Sequence, residues 1–221
     1  MKKHRMLALW MIVLAGVIGV ESVQAQTFSG DRNARAGLTI GPGFAAGGSM
    51  ILDSPSGYKI KPVFAWTGEV STTYPLTDVI SSGLSLGIHS RGTRVHHFQN
   101  ENIYSDTRVL FFTLYPNFTF SGFNLGFNLG LPLSGTETAY TGASSDLSSN
   151  LLNTMAELRL GGTIPVADDE LGWLSVTILG GYSFSKLVNY PDIVESFGDW
   201  RNISLQAGFR FEFLIPGTER D

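Results

Sequence analysis

The sequence predicts an all-β fold, an eight-stranded antiparallel up-and-down transmembrane β-barrel, on three observations. The first is alternation. Between Asn202 and Ile215, residues Ile203, Leu205, Ala207, Phe209, Phe211, Phe213 and Ile215 share one parity, and Asn202, Ser204, Gln206, Gly208, Arg210 and Glu212 share the other. Successive side chains of a strand point to opposite faces, so this segment has one apolar face and one of polar residues or glycine. The second is the make-up of the polar faces, which are mostly Gly, Ser, Thr and Asn. A face turned to bulk water carries long charged side chains, whereas a narrow lumen needs small residues beside a few large ones. The third is that connections alternate between short and long, the layout of barrels in an outer membrane. A soluble lipocalin-like barrel has the same period with its apolar face inward, and the small-residue polar faces argue against it.

Composition points the same way. Charged residues are 15% of the chain, aromatics 12%, and there are 26 glycines. A soluble chain of this size carries more charge. No apolar run after Ala25 reaches the length of a membrane helix. The net charge is −4, and −6 once the three basic residues and one acidic residue of the first 25 are set aside, which excludes nucleic acid as a partner. There is no cysteine, so disulfides, thiolate metal sites and a cysteine-linked lipid anchor are excluded. Lys2, Lys3, His4 and Arg5 form a basic start, Met6 to Val20 an apolar run, and Val23-Gln24-Ala25 a small-residue cleavage site. The expectation is a signal peptide over 1–25 and one barrel domain over 26–221.

The elements follow in order. The first strand runs from about Ala36 to Ala46, with Leu38, Ile40, Pro42 and Phe44 outward and Gly37, Thr39, Gly41 and Gly43 inward. The second, Pro62 to Tyr74, is the least regular and places Phe64, Trp66, Val70 and Tyr74 outward. The third, Val79 to Thr93, places Ile80, Leu84, Leu86 and Ile88 outward. The fourth, Thr107 to Phe120, does so with Leu110, Phe112, Leu114, Phe118 and Phe120. The fifth, Phe123 to Leu133, is the cleanest, its Phe and Leu alternating with Asn124, Gly126, Asn128, Gly130 and Pro132. The sixth covers Thr154 to Val166, the seventh Gly172 to Leu187, and the eighth is the segment described first. Short links are Pro75 to Asp78, Ser121-Gly122 and Ala167 to Leu171; long ones are Gly47 to Lys61, Arg94 to Asp106, Ser134 to Asn153 and Val188 to Asp199. Short turns belong at the periplasmic end, so both termini are expected there and the long loops outside.

Ionisable residues on the inward parity are Glu69, His89, Arg91, Glu157, Arg159, Arg210 and Glu212. An unpaired buried charge is costly, so these seven are expected to form an ion-pair network that plugs the lumen. The alternative is a gate or a proton-sensitive switch through His89. Neither reading calls for a cofactor or a metal.

The sequence argues against an enzyme. His89 and Ser90 point to opposite faces and cannot form a dyad. His89, Ser85 and Glu157 share the lumen, which a lipid substrate cannot easily enter. His96-His97 with Asp106 is a weak metal signal. A porin-like channel fits poorly because eight strands leave room only for side chains, here including Phe111, Tyr115 and Trp173. Outward Trp66, Tyr74, Phe118, Phe120 and Tyr182 suit girdles at the membrane interfaces.

The eighth strand also carries a motif. Gln206-Ala207-Gly208-Phe209-Arg210-Phe211-Glu212-Phe213 resembles the C-terminal β-signal of outer membrane proteins: a polar residue, a glycine two later, then aromatics three and five after the glycine. Gln206, Gly208, Phe211 and Phe213 fill those places, which implies recognition by the barrel-assembly machinery. In the family pattern the motif sits at or near the chain terminus; here Leu214 to Asp221 follow. Residues 30 to 215 resemble the small OmpA-like and OmpX-like barrels, and among these the PorT-like outer membrane protein β-barrel group. The expected protein is a monomer in outer membrane lipid, with a structural or interaction role through its loops: envelope integrity, adhesion, or docking of an envelope or host-surface protein. The PorT side of the resemblance implies the alternative of an accessory part of a protein-secretion apparatus; a narrow channel is the third reading. No peptidoglycan-binding domain follows the barrel, which argues against tethering the cell wall.

Overall fold

The computed structural model describes residues 37–52, 58–77, 79–97, 100–168, 172–189 and 201–218. Residues 1–25, where a signal peptide is expected, Ala36, and most of the link from Val188 to Asp199 lie outside the described residues. Eight long strands pair antiparallel into one closed ring: β1 (Thr39–Ile51), β3 (Val63–Pro75), β4 (Ile80–His97), β5 (Asn100–Phe120), β6 (Phe123–Ala139), β8 (Met155–Asp168), β9 (Gly172–Lys186) and β10 (Arg201–Leu214), with β10 returning to β1. Two short strands stand outside the ring. β2 (Tyr58–Lys61) pairs the far end of β4, and β7 (Ser144–Asp146) pairs the far end of β6. Ring closure gives each of the eight ring strands a neighbour on both sides, which is what a sheet in hydrocarbon requires.

Alternation sets the two faces as the sequence predicts. Phe44, Phe64, Val70, Leu86, Phe118, Phe127, Leu131 and Phe209 are exposed on the outside, while Thr67, Ser85, Thr113, Asn128, Ser183 and Gln206 are buried inside. A molecule whose apolar side chains face out and whose polar side chains face in is built for lipid. The irregular second segment is the full strand β3, with Val63, Ala65, Thr67, Glu69 and Ser71 all inward and buried.

The short end follows local chemistry. Ser121 and Gly122 both have positive φ, 47° and 85°, making the two-residue turn whose twist matches an antiparallel hairpin. Between β3 and β4, the Leu76 and Thr77 amides donate to the Ile80 carbonyl at 2.8 and 3.0 Å. After β10 the chain turns back on β1. The Leu38 amide donates to Thr218 Oγ1 at 2.9 Å, and Thr218 Oγ1 donates to the Ile215 carbonyl at 2.6 Å.

The long end corrects the sequence reading. Arg94 to Asp106 is not a loop but the tip of one hairpin, in which Arg94 pairs Asp106 and His96 pairs Tyr104. Both β4 and β5, at 18 and 21 residues, are far longer than a span needs. The stretch from Ser134 to Asn153 likewise contains the end of β6, all of β7 and a 3-10 turn at Ser149–Leu151. A bulge precedes it. Leu110 pairs Ser134 but Phe111 pairs Pro132, so Leu133 is an extra residue, and inward parity passes from even to odd numbers.

Candidate functional site: a charged, plugged lumen

The seven inward ionisable residues sit on four strands, β3, β4, β8 and β10. Glu69 of β3 is the hub. Its Oε2 accepts from Arg159 Nη1 of β8 and its Oε1 from Arg210 Nη2 of β10, each at 2.8 Å. His89 Nε2 lies 3.7 Å from the same carboxylate. A second pair sits beside the first: Arg91 Nε and Nη2 donate to the two oxygens of Glu157, both at 3.2 Å. This is a fork-to-fork pairing that a lysine could not make. Asn128 Nδ2 also donates to Glu157 Oε1 at 3.1 Å.

His89 joins the two pairs. Its Nδ1 lies 3.1 Å from Asn128 Nδ2 and 3.4 Å from Arg91 Nη2. Both neighbours can only donate, so Nδ1 is the acceptor and the ring proton belongs on Nε2, facing Glu69. The Arg159 guanidinium lies over the Tyr115 ring, 4.6 Å from its centroid, and the Tyr115 hydroxyl bonds Asn124. The Gln206 amide, with its oxygen toward Arg91 Nη1 at 3.3 Å, donates to Thr67 Oγ1 at 2.8 Å. Arg91, Arg159 and Glu157 are each 1% exposed, so these charges are as buried as an apolar core. Glycine provides the room: a Cβ on Gly181 would meet the Glu157 carboxylate carbon at 2.5 Å, and one on Gly87 the Glu69 Cβ at 2.8 Å.

Glu212 stands apart from the ion pairs. Its carboxylate accepts from Trp173 Nε1 at 2.8 Å and from Thr73 Oγ1 at 3.3 Å, neutral donors rather than the expected cation. Arg210, two residues away on the same face, is taken by Glu69 instead.

The end of the lumen away from the short turns is closed twice. Ser49 Oγ donates to the Gly92 carbonyl at 2.9 Å and accepts from its amide at 2.8 Å, and Asn202 Nδ2 donates to the same carbonyl at 3.0 Å. These bonds draw β1, β4 and β10 together where the pairing of β3 with β4 has ended at Trp66 and Ser90. Beside them is a small apolar core of Val109, Phe111, Met155, Leu187 and Val188, packed by Leu147, Leu151 and Leu152 from the segment after β7. A backbone bridge from Leu152 to Val188 holds that segment down. Gly135, turned inward by the bulge, leaves space for it: a Cβ there would meet Leu152 Cδ2 at 2.6 Å. Sequence reasoning missed this cap. Its one trace is the spacing of Leu147, Leu151 and Leu152 in an otherwise polar stretch.

The remaining candidates are not brought together. Ser85 Oγ bonds Ser71 Oγ at 2.9 Å, not His89, and Glu157 is occupied by Arg91, so no nucleophile–base–acid chain exists among these residues. Asp106 is held by Arg94 through bonds of 2.5 and 2.6 Å, and among the described residues no three His, Asp or Glu form a metal cluster. Of the residues that resemble a β-signal, Gln206 is buried in the lumen, while the rings of Phe211 and Phe213 lie 4.4 Å apart on the outer face. A Cβ on Gly208 would run into the Phe44 carbonyl of β1, so only glycine fits that place.

Fold and lumen together define a small closed transmembrane β-barrel of the outer-membrane type, with buried charges filling its interior. Among solved structures the chain is similar to Ail, the attachment invasion locus protein of Yersinia pestis, at 17% identity over 81% of this chain and 99% of that one, with a TM-score of 0.40. It is also similar to neisserial surface protein A at 16% identity over 80% and 97%, TM-score 0.40, and to the outer membrane protein OprG from Pseudomonas aeruginosa at 16% over 82% and 98%, TM-score 0.35. No protein-family model and no curated protein matches the chain. At this degree of likeness, the assignment to the barrel class rests on the strand pairing and the two faces.

Proposed function

We propose that the protein is a plugged barrel of the outer membrane whose role is structural or interactive, supporting the envelope or docking an envelope or host-surface protein on its outer end. The observation that carries this reading is the filled cross-section: Glu69, Arg91, Glu157, Arg159, Phe111 and Tyr115 are all buried inside an eight-stranded ring. With no passage for solutes there, the surface that can do work is the one built by the overlong β4, β5 and β6 with β2 and β7. In this reading residues 1–25 are a signal peptide, the short turns and both termini are periplasmic, and the chain acts as a monomer. Gln206, Gly208, Phe211 and Phe213 serve as the assembly signal. The lumen charges act as a structural plug, not as a gate.

The test is single-channel conductance of the refolded chain 26–221 in a planar bilayer, with heat-modifiable gel mobility as the folding control. A folded barrel without steady current is the expected result. A reproducible current that changes on Glu157→Gln or Arg159→Gln would make the lumen the functional site and overturn the plug. A folded product that stays in solution and never inserts would overturn the membrane assignment itself.

A further inference from the structure

Carboxylates and guanidiniums are not matched one to one inside the ring. Glu69 has both oxygens taken, one by Arg159 and one by Arg210. Glu157 has both taken by Arg91, and one of them by Asn128 as well. Three arginines thus share two acids. The third inward acid, Glu212, stands two residues from Arg210 on β10, and its two oxygens accept from the neutral donors Trp173 and Thr73.

The mismatch falls on one guanidinium edge. Arg91 grips Glu157 with its Nε and Nη2, the edge from which two N–H bonds run parallel. Arg159 donates only from Nη1, and its own Nε–Nη2 edge meets no hydrogen-bond partner although the side chain is 1% exposed. Arg210 donates from Nη2, and its Nε is likewise buried without a partner. A buried donor left unmade is costly, and more so on a charged group. Both guanidiniums are held by opposite oxygens of the one Glu69 carboxylate, so they sit in the same layer of the lumen. Open space adjoins that layer on the β1 side. A Cβ on Gly43, the ladder partner of both Glu69 and Arg210, would meet nothing nearer than Glu69 Cγ at 3.5 Å.

Two other unpartnered atoms of the lumen, Asn128 Oδ1 and Asn202 Oδ1, are neutral acceptors and call for water. The Arg159 edge is different: it offers donors alone, on a cation, where every inward carboxylate oxygen is already engaged. Such an edge takes an anion. A monovalent ion suits it better than a phosphate dianion, because each further charge taken out of water raises the cost. We propose that the lumen holds one small monovalent inorganic anion, of chloride size, on the Nε–Nη2 edge of Arg159 beside Arg210. Glu69, Glu157, Arg91, Arg159 and Arg210 together leave one positive charge over, and the ion supplies the negative group that matches it. This inference rests on the reading of the lumen as a plug.

The experiment is urea unfolding of the refolded barrel in a zwitterionic detergent, with chloride exchanged stepwise for gluconate at constant ionic strength. One anion site present only in the folded state makes the unfolding equilibrium constant fall about tenfold for each tenfold rise in chloride once the site fills. The wild type should show that dependence, and so should Asp106→Asn, which lies outside the lumen. Arg159→Gln should lose it. Bromide soaked into crystals of the wild type reads the same site without a variant, and its anomalous peak should lie against Arg159 Nε and Nη2. Stability indifferent to chloride would overturn the proposal, as would a dependence that survives in Arg159→Gln. Bromide on the surface alone, with water beside Arg159, would mark adventitious ions only and overturn it equally. A barrel with no steady current and no chloride dependence loses this inference alone; a steady current removes the plug as well.

Discussion

Glu69 and Asp106 are both carboxylates set between two arginines, and they differ in where they stand. Glu69 holds Arg159 and Arg210 at 2.8 Å each inside the ring, where its side chain is 4% exposed. Asp106 holds Arg94 at 2.5 Å and faces Arg108 at 4.0 Å on the protruding hairpin, where the two arginines are 34% and 47% exposed. By distance alone the outer pair is the tighter one. Its strength is nonetheless the smaller, because water reaches both of its arginines even though the Asp106 side chain is 9% exposed. In the lumen it hardly does, so the inner carboxylate is needed to keep two guanidiniums from being buried alone. Environment, not bond length, separates the two sites.

The comparison can be broken most directly at its hub. Glu69→Gln keeps the volume and removes the charge, and it should cost about 3–5 kcal/mol of stability. Urea unfolding of the refolded barrel in detergent reads this, and a loss under about 1 kcal/mol would mean a lumen wet enough to behave like the surface. Phe111→Ala removes apolar packing at the outer cap without touching a charge. It should cost about 3 kcal/mol and still give no steady current, since the ion pairs below remain; a current in that variant would show that the cap, and not the charges, seals the barrel. Asp106→Asn should cost no more than about 1 kcal/mol. That small loss should fade when salt is raised to about 1 M, where the Debye length falls to about 3 Å, while the Glu69→Gln loss persists. Equal salt sensitivity of the two variants would contradict the distinction.

The sequence made the strands and their faces legible because alternation is a local signal: each of the eight segments states its own inside and outside. Even the irregular second segment is decided by five inward residues, Val63, Ala65, Thr67, Glu69 and Ser71. What could not be read is what depends on register between strands that are not neighbours. Glu69 meets Arg159 across the lumen, and no spacing along the chain encodes that approach. The same holds for Glu212, which meets Trp173 and Thr73 instead of one of the lumen's cations. The long end was misread for a different reason. Beyond the lipid both faces of a strand can be polar, so Arg94 to His97 and Asn100 to Asp106 lose the contrast by which the spans were found, although they remain strand. The bulge at Leu133 then shifts the parity, so a count carried on from β6 points the wrong way at Gly135.

A closed ring has no edge, yet the chain that forms it must start and stop somewhere, and here both places lie side by side along the β1–β10 seam. The turn after β10 acts as a clip across that seam. Ile215 donates to the Leu38 carbonyl at 2.9 Å, the Leu38 amide donates back to the Thr218 hydroxyl, and Gly37 gives that hydroxyl its space. Strand ends ordinarily fray, and fraying at this corner would be the first step of unzipping the whole cylinder. The Leu38 amide, although it lies just ahead of the first ring strand, is therefore expected to exchange its hydrogen as slowly as amides in mid-strand, and to lose that protection in Thr218→Ala.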